Sequence, residues 1–239
     1  GDSDLEPLVE SFNAMVESLQ IRIEREARFA SDVTHELRSP LATMGAALSV
    51  ARRRASEPAT HQALDVLGTE VDRFQELIVD LLEIARAEAG VAELSMDEIE
   101  PRALAQSVLE ASGRDQVMVE VDAEGDRRAR LDKRRIGQAL VNLLDNADNY
   151  GGGATKLTVT GDSEFLRFIV DDDGPGVPEH ERDHVFQRFA RGTHAEVSGT
   201  GLGLALVTEH VRLHHGQISV TDAPGGGARF IIELPREQP

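Results

Sequence analysis

Apolar residues recur along the first ninety positions at steps of three and four. Leu5, Leu8, Phe12, Met15 and Leu19 form a coiled-coil seam. Ile23 and Ala27 then follow at two steps of four, a stutter that locally unwinds a supercoil. The seam runs on through Ala30, Val33, Leu37, Leu41, Met44, Leu48 and Ala51, which predicts one nearly continuous helix over residues 5–54. Arg52, Arg53 and Arg54 suit its C-terminal dipole, and Ser56-Glu57-Pro58 breaks the chain. Leu64, Leu67, Val71, Phe74, Ile78, Leu81 and Ala85 predict a second helix ending near Gly90. Two antiparallel helices would expose much of this seam. Pairing two copies into a four-helix bundle buries it, so the pattern itself predicts a homodimer.

The texture changes over residues 91–101, read as an inter-domain linker. Beyond it the pattern predicts a helix over 102–111, strands over 117–121 and 128–131, and a helix from an Asp132 cap to about residue 149. Strands follow at 157–160 and 166–170, then a long glycine-rich stretch and a helix over 201–214. A hairpin closes the chain, 217–221 with 228–234, turning through residues 222–227. Short connections predict an α/β mixture with antiparallel strands.

Composition narrows the possible chemistry. A net charge of −18 disfavours general binding to nucleic acid or to an anionic membrane surface. With no cysteine, disulfides and thiolate metal sites are excluded. No apolar run is long enough to span a bilayer, so the chain as given reads as soluble.

Four stretches carry candidate chemistry. His35 falls opposite the first helix's apolar seam, beside Glu36, with Ser39 one turn on and Pro40 set to kink the helix. An ordinary exposed histidine is the plainer reading; its neighbours point to chemistry. Asn142, Asn146 and Asn149 share one face of a helix, where asparagine is a poor interior residue. Amide oxygens there suit Mg²⁺, and a solvated polar face is the alternative. Asp171-Asp172-Asp173-Gly174-Pro175-Gly176 fits either a divalent-metal site or a turn in which one aspartate accepts a bond from an exocyclic amine. Gly199-Thr200-Gly201-Leu202-Gly203 opens a helix whose N–H groups and dipole can meet phosphate. The other histidines, including His180, His184, His214 and His215, are read as surface residues.

Taken together these stretches resemble a known family. His35-Glu-Leu-Arg-Ser-Pro-Leu resembles the phosphoacceptor box of sensor histidine kinases of two-component systems, with Ser39 where threonine is usual. Asn142-Leu-Leu-Asp-Asn146-Ala resembles the N box, Asp172-x-Gly174-x-Gly176 the G1 box, Phe186-x-x-Phe189 the F box and Gly199-Thr-Gly-Leu-Gly203 the G2 box of the GHKL, or Bergerat, ATP-binding domain. Residues 1–24 resemble the second helix of a HAMP linker.

The resemblance implies three parts: a coiled-coil or HAMP-like helix over 1–24, a dimerisation and phosphotransfer hairpin over 25–92, and an α/β sandwich over 93–239. It implies ATP and Mg²⁺ as cofactors, held under a lid over 177–201. His35 would take the phosphoryl group, Glu36 a ring proton, and Ser39 would orient a water for the reverse reaction. Asp172 would contact the adenine amine, with Tyr150 near the base and Gly174 and Gly176 in the turn. Asn146 would ligate Mg²⁺ and Asn142 would support the triphosphate. Thr200, Gly201, Leu202 and Gly203 would close on the phosphates. Asn149 stands where lysine is common, so the phosphate cation is sought among Arg188 and Arg191, with Arg191 preferred. The implied partners are a second copy and a response-regulator receiver domain, with no nucleic acid. The implied place is the cytoplasmic part of a membrane protein whose spanning segments lie upstream. A non-catalytic dimeric scaffold and a GHKL ATPase of the mismatch-repair or chaperone type are the rival classes.

Overall fold

The structure is a computed structural model and describes Leu37 and residues 39–190 and 200–236. His35, Glu36, Arg191 and the 1–24 segment lie outside the described residues. The chain divides after Ala92 into two units.

The first unit is a helical hairpin. Helix α1 covers residues 39–54, and α2 runs Pro58–Glu88 with Pro58 in its first turn, where a missing N–H costs nothing. At its far end Gly90 turns left-handed (φ 68°), and Val91 N–H donates to Arg86 O at 3.2 Å, which stops the helix. The two helices are fastened near their turn. Arg52 pairs with Asp65 at 3.0 Å, and its guanidinium lies against Gly68, where any Cβ would collide with it. The carboxyl of Asp80, on α2, is pushed up to about 6, first by burial and then by Glu76 and Glu83.

The second unit is a two-layer α/β sandwich. Its five-stranded sheet has the order β2-β4-β5-β7-β6, with β2 Met118–Val121, β4 Ala154–Gly161, β5 Phe165–Asp172, β6 Gln217–Asp222 and β7 Ala228–Pro235. Helices α3 (Pro101–Ala111), α4 (Lys133–Tyr150) and α5 (Gly203–Leu213) pack against it. Alternation sets the layers. Leu166, Phe168 and Val170 of β5 and Phe230, Ile232 and Leu234 of β7 are buried, while the residues between them are half-buried. The stripe 135/136, 139/140, 143/144 and 147 of α4 is buried along its length.

Two expectations are corrected here. β2 pairs parallel with β4, because α4 lies in the connection between them and supplies a crossover; the other pairs of this sheet are antiparallel. The segment read as a plain linker also contains a strand, β1 (Asp97–Ile99), which pairs antiparallel with β3 (Ala129–Leu131). Its run of acidic residues hid it, since they are poor strand formers on their own.

Candidate functional site

Three consecutive aspartates end β5, and the pleat sends them different ways. Asp171 points to the face away from the helices, where Arg229 of β7 clasps it through two bonds of 2.6 and 2.8 Å. That bond holds the Arg229 guanidinium above its ordinary pKa. Asp173 is exposed. Asp172 keeps the parity of Leu166, Phe168 and Val170, turns toward the helices, and is only 4% exposed. The run is therefore not a three-carboxylate metal site. Among the described residues no cluster of three His, Cys, Asp or Glu could hold a metal ion.

Asp172 is buried without a cation. Its Oδ1 accepts the backbone N–H groups of Gly174 at 3.0 Å and Ala228 at 2.8 Å. Among the described residues nothing donates to Oδ2. Glycines surround it because there is no room for anything larger. A Cβ on Gly151 would overlap the carboxylate, one on Gly174 would overlap Gly151, and one on Gly227 would overlap the Asp172 carbonyl. A charged oxygen this deep is costly unless something meets it. One spare acceptor in a glycine-lined recess is suited to a planar ligand that carries an amine. Tyr150, at the end of α4 just before Gly151, is 37% exposed, and Gly176 takes a left-handed turn (φ 76°) against Gly227.

A second group gathers where α4 meets the start of α5. Asn142 accepts from Gln138 Nε2 at 3.1 Å and donates to Gly203 O at 3.2 Å, which ties the asparagine-bearing face to the glycine-rich helix start. Asn146 lies one turn on, half-buried, with no hydrogen bond to its amide among the described residues. Thr200 Oγ1 accepts from Leu202 N–H at 3.3 Å. Gly201 (φ 69°) is held by Phe189, whose N–H donates to Gly201 O at 2.7 Å. Phe189 itself is left-handed (φ 59°) and 60% exposed, while Phe186 packs edge-on against Phe230 at 6.3 Å. Arg188 is half-buried. In the first unit Ser39 is exposed, as expected of the face shared with residue 35, and Leu41 is buried.

Gly151, Gly227 and the Ala228 N–H complete the recess and were not among the expected site residues. The runs Gly151-Gly152-Gly153 and Gly225-Gly226-Gly227 were the available signal, although the second also reads as a hairpin turn. The surface reading of the histidines is corrected at two positions. His210 and His214 are fully buried, because α5 turns the face bearing Val207, Val211 and these two rings inward. His180 and His184 are exposed.

Residues 25–90 match the His Kinase A (phospho-acceptor) domain, and residues 131–238 match the histidine kinase-, DNA gyrase B- and HSP90-like ATPase family. The sensor histidine kinase MtrB of Mycolicibacterium paratuberculosis is 37% identical over 254 residues, covering 98% of this chain and 45% of that protein. The chain thus spans about half the length of the relatives it matches. Among solved structures, full-length ShkA in complex with AMPPNP aligns with a TM-score of 0.74 at 24% identity, over 90% of this chain and 47% of that one. ThkA in complex with the response regulator TrrA aligns with a TM-score of 0.61 at 24% identity, over 95% and 67%. Those two likenesses establish the fold.

Proposed function

Because the chain belongs to the sensor histidine kinases, joining a phosphoacceptor hairpin to an ATPase-type sandwich, we propose that it phosphorylates itself from ATP on His35 and passes the phosphoryl group to an aspartate of a response regulator. The observation that carries the reading is Asp172: a buried, cation-free carboxylate with one oxygen held by two backbone N–H groups and the other left to accept the adenine amine.

The remaining roles follow from where the residues lie. Asn146 would hold Mg²⁺, which its half-buried, unclaimed amide fits, and the bound ion would neutralise the β- and γ-phosphates. Asn142 orders the phosphate end through Gly203, and the first turn of α5 offers N–H groups to the triphosphate. Neutral His35 attacks the γ-phosphorus, the bond to the bridging oxygen breaks, and ADP departs. Glu36 accepts the ring proton or holds the tautomer that frees the attacking nitrogen. The exposed Ser39 would orient a water for regulator dephosphorylation. With Asn149 in the usual lysine position, we assign the phosphate-binding cation to Arg191, beyond the F box.

Homodimerisation is supported by Leu67, Phe74 and Leu81, which recur every seven residues on α2 and stay 54%, 51% and 39% exposed in the single chain. A regulator partner is supported by the ThkA–TrrA complex. The chain spans about half the length of the sensor histidine kinases it matches, and on that likeness we assign it to the cytoplasmic part of a longer sensor; no helix among the described residues is long and apolar enough to cross a membrane. Incubation with γ-labelled ATP tests the reading. The wild-type chain should acquire acid-labile, base-stable label, and His35→Gln should lose it while still binding nucleotide. Label retained in His35→Gln refutes the phosphoacceptor assignment. Free phosphate without protein label means an ATPase, and neither product means a scaffold.

A further inference from the structure

The α/β unit begins with a strap. Five observations fasten residues 93–100 to β3, the start of α4 and the core behind them. Strand β1 pairs with β3 in the register Asp97↔Leu131, Glu98↔Arg130, Ile99↔Ala129. Ser95 N–H donates to Asp132 Oδ2 at 3.1 Å. Arg135 donates to Glu93 O at 3.2 Å. Arg128 meets Glu100 at 2.8 Å and Glu98 at 4.0 Å. Ile99 is buried in the core.

Asp132 is the node of this strap. It is 3% exposed, caps α4 by accepting Arg135 N–H at 3.0 Å, and faces Arg135 Nε at 3.4 Å. Burial works to raise its pKa, but the Arg135 and Ser95 N–H groups and the nearby arginine charges outweigh it and hold the carboxyl below its usual value. Its backbone N–H donates to His214 Nε2 at 3.0 Å. That nitrogen is therefore unprotonated, and Nδ1 carries the hydrogen donated to His210 O at 2.7 Å. Helix α5 is thus tied to α4 at both of its own ends, to the α4 cap and to the α4 midpoint. His214 meets Asp132 at one end, and Asn142 meets Gly203 at the other, the end we assign to phosphate.

We propose that residues 93–100 are a detachable clasp whose closure on Asp132 holds the α4–α5 pair in its nucleotide-binding arrangement. The proposal rests on the ATP reading above. The clasp is where the chain enters this unit, and its first two bonds, Glu93 O to Arg135 and Ser95 N–H to Asp132, lie at the start of α4, so displacement of the preceding residues reaches Arg135 and Asp132 first. Coupling of this kind is reciprocal: if closure tightens nucleotide binding, nucleotide must tighten closure by the same factor.

Amide hydrogen exchange on the full chain, with and without Mg²⁺ and a non-hydrolysable ATP analogue, tests both directions. The analogue should slow exchange across 93–100 as well as at the first turn of α5. Ser95→Pro deletes the donor to Asp132 and leaves every α4 and α5 side chain in place; it should speed exchange over 93–100 and weaken the analogue roughly 5-fold. Arg128→Glu should do the same through repulsion, and adding Glu98→Arg and Glu100→Arg to it should restore both readouts, which a general loss of stability would not. Protection of α5 without any at 93–100, or a loosened clasp with unchanged affinity, overturns the proposal and spares the ATP reading. Absence of protection anywhere overturns both.

Discussion

Helices α2 and α4 carry the same kind of 3-4 apolar repeat and bury it to very different extents. The 18 residues of α4 bury seven side chains, and Ile136, Leu140, Leu143 and Leu144 are completely covered. The 31 residues of α2 bury Gly68, Leu82, Ile84 and Ala87, and leave roughly half of Leu67 and Phe74 and over a third of Leu81 exposed. The repeat reports only that a face needs covering. For α4 the sheet of the same chain covers it; for α2 we assign the cover to a second copy. The α/β unit should therefore hold together by itself, and the hairpin should depend on protein concentration.

The largest expected effect tests that self-sufficiency. Phe230 is 1% exposed at the centre of the α/β core, and Phe230→Ala should cost about 3–5 kcal/mol in that unit while leaving the association constant of the chain unchanged. Urea titration followed at several concentrations separates the two. Next, Asp172→Asn should weaken ATP by about 1.5–3 kcal/mol, because an amide replaces the charged acceptor, with no change in dimerisation; calorimetry that finds equal affinity removes Asp172 from the adenine site. On the hairpin side, Phe74→Ala should cost about 1.5 kcal/mol per protomer, the value of the half of this ring that only a partner can cover. Sedimentation should then show more monomer, and a wild-type dimer fraction would refute the bundle.

The smallest effect separates the units by pH. The Asp80 carboxyl, raised to about 6, holds its proton more tightly folded than unfolded, where its value is 3.8. Its stabilisation is complete below about 3.8 and is lost as the pH climbs through about 6. His214 has the opposite sign. Burial lowers its pKa against the pull of the His210 carbonyl and Asp132, so its contribution is complete above the unfolded value of 6.5 and is lost as the pH falls below that. Mild acid should therefore firm the hairpin and loosen the α/β unit, read as opposite changes in exchange protection of α2 and α5. Asp80→Asn should stabilise the hairpin near neutrality by about 1 kcal/mol, after allowance for solvent screening, and flatten its response. An unchanged pH profile in that variant would remove Asp80 as the source.

How much of this was legible beforehand depended on whether the signal was local. The amphipathic stripe of α4 and its Asp132 cap are written in consecutive residues, and both were read correctly. The aspartate run left open whether its three carboxylates gather on one ion. That they diverge depends on which face each side chain takes, and so on the register of β5 against β7. Strand β1 could not be seen because its stability comes from β3, thirty or more residues away. His214 looked like surface for a similar reason, since the group that accommodates a buried ring is the N–H of Asp132, 82 residues distant. The placing of β2 beside β4 likewise needed the crossover, which no window of sequence contains.

Tyr150 has a consequence of a different order. It is the single tyrosine of a chain that has no tryptophan, and it ends α4 beside the recess that surrounds Asp172. Its phenol is therefore the only strong native fluorophore in the molecule, and it stands at the threshold of one recess. Every change in its emission reports on that address, so occupancy of the recess can be followed by light from the unmodified protein, with no dye, tag or substitution to perturb it.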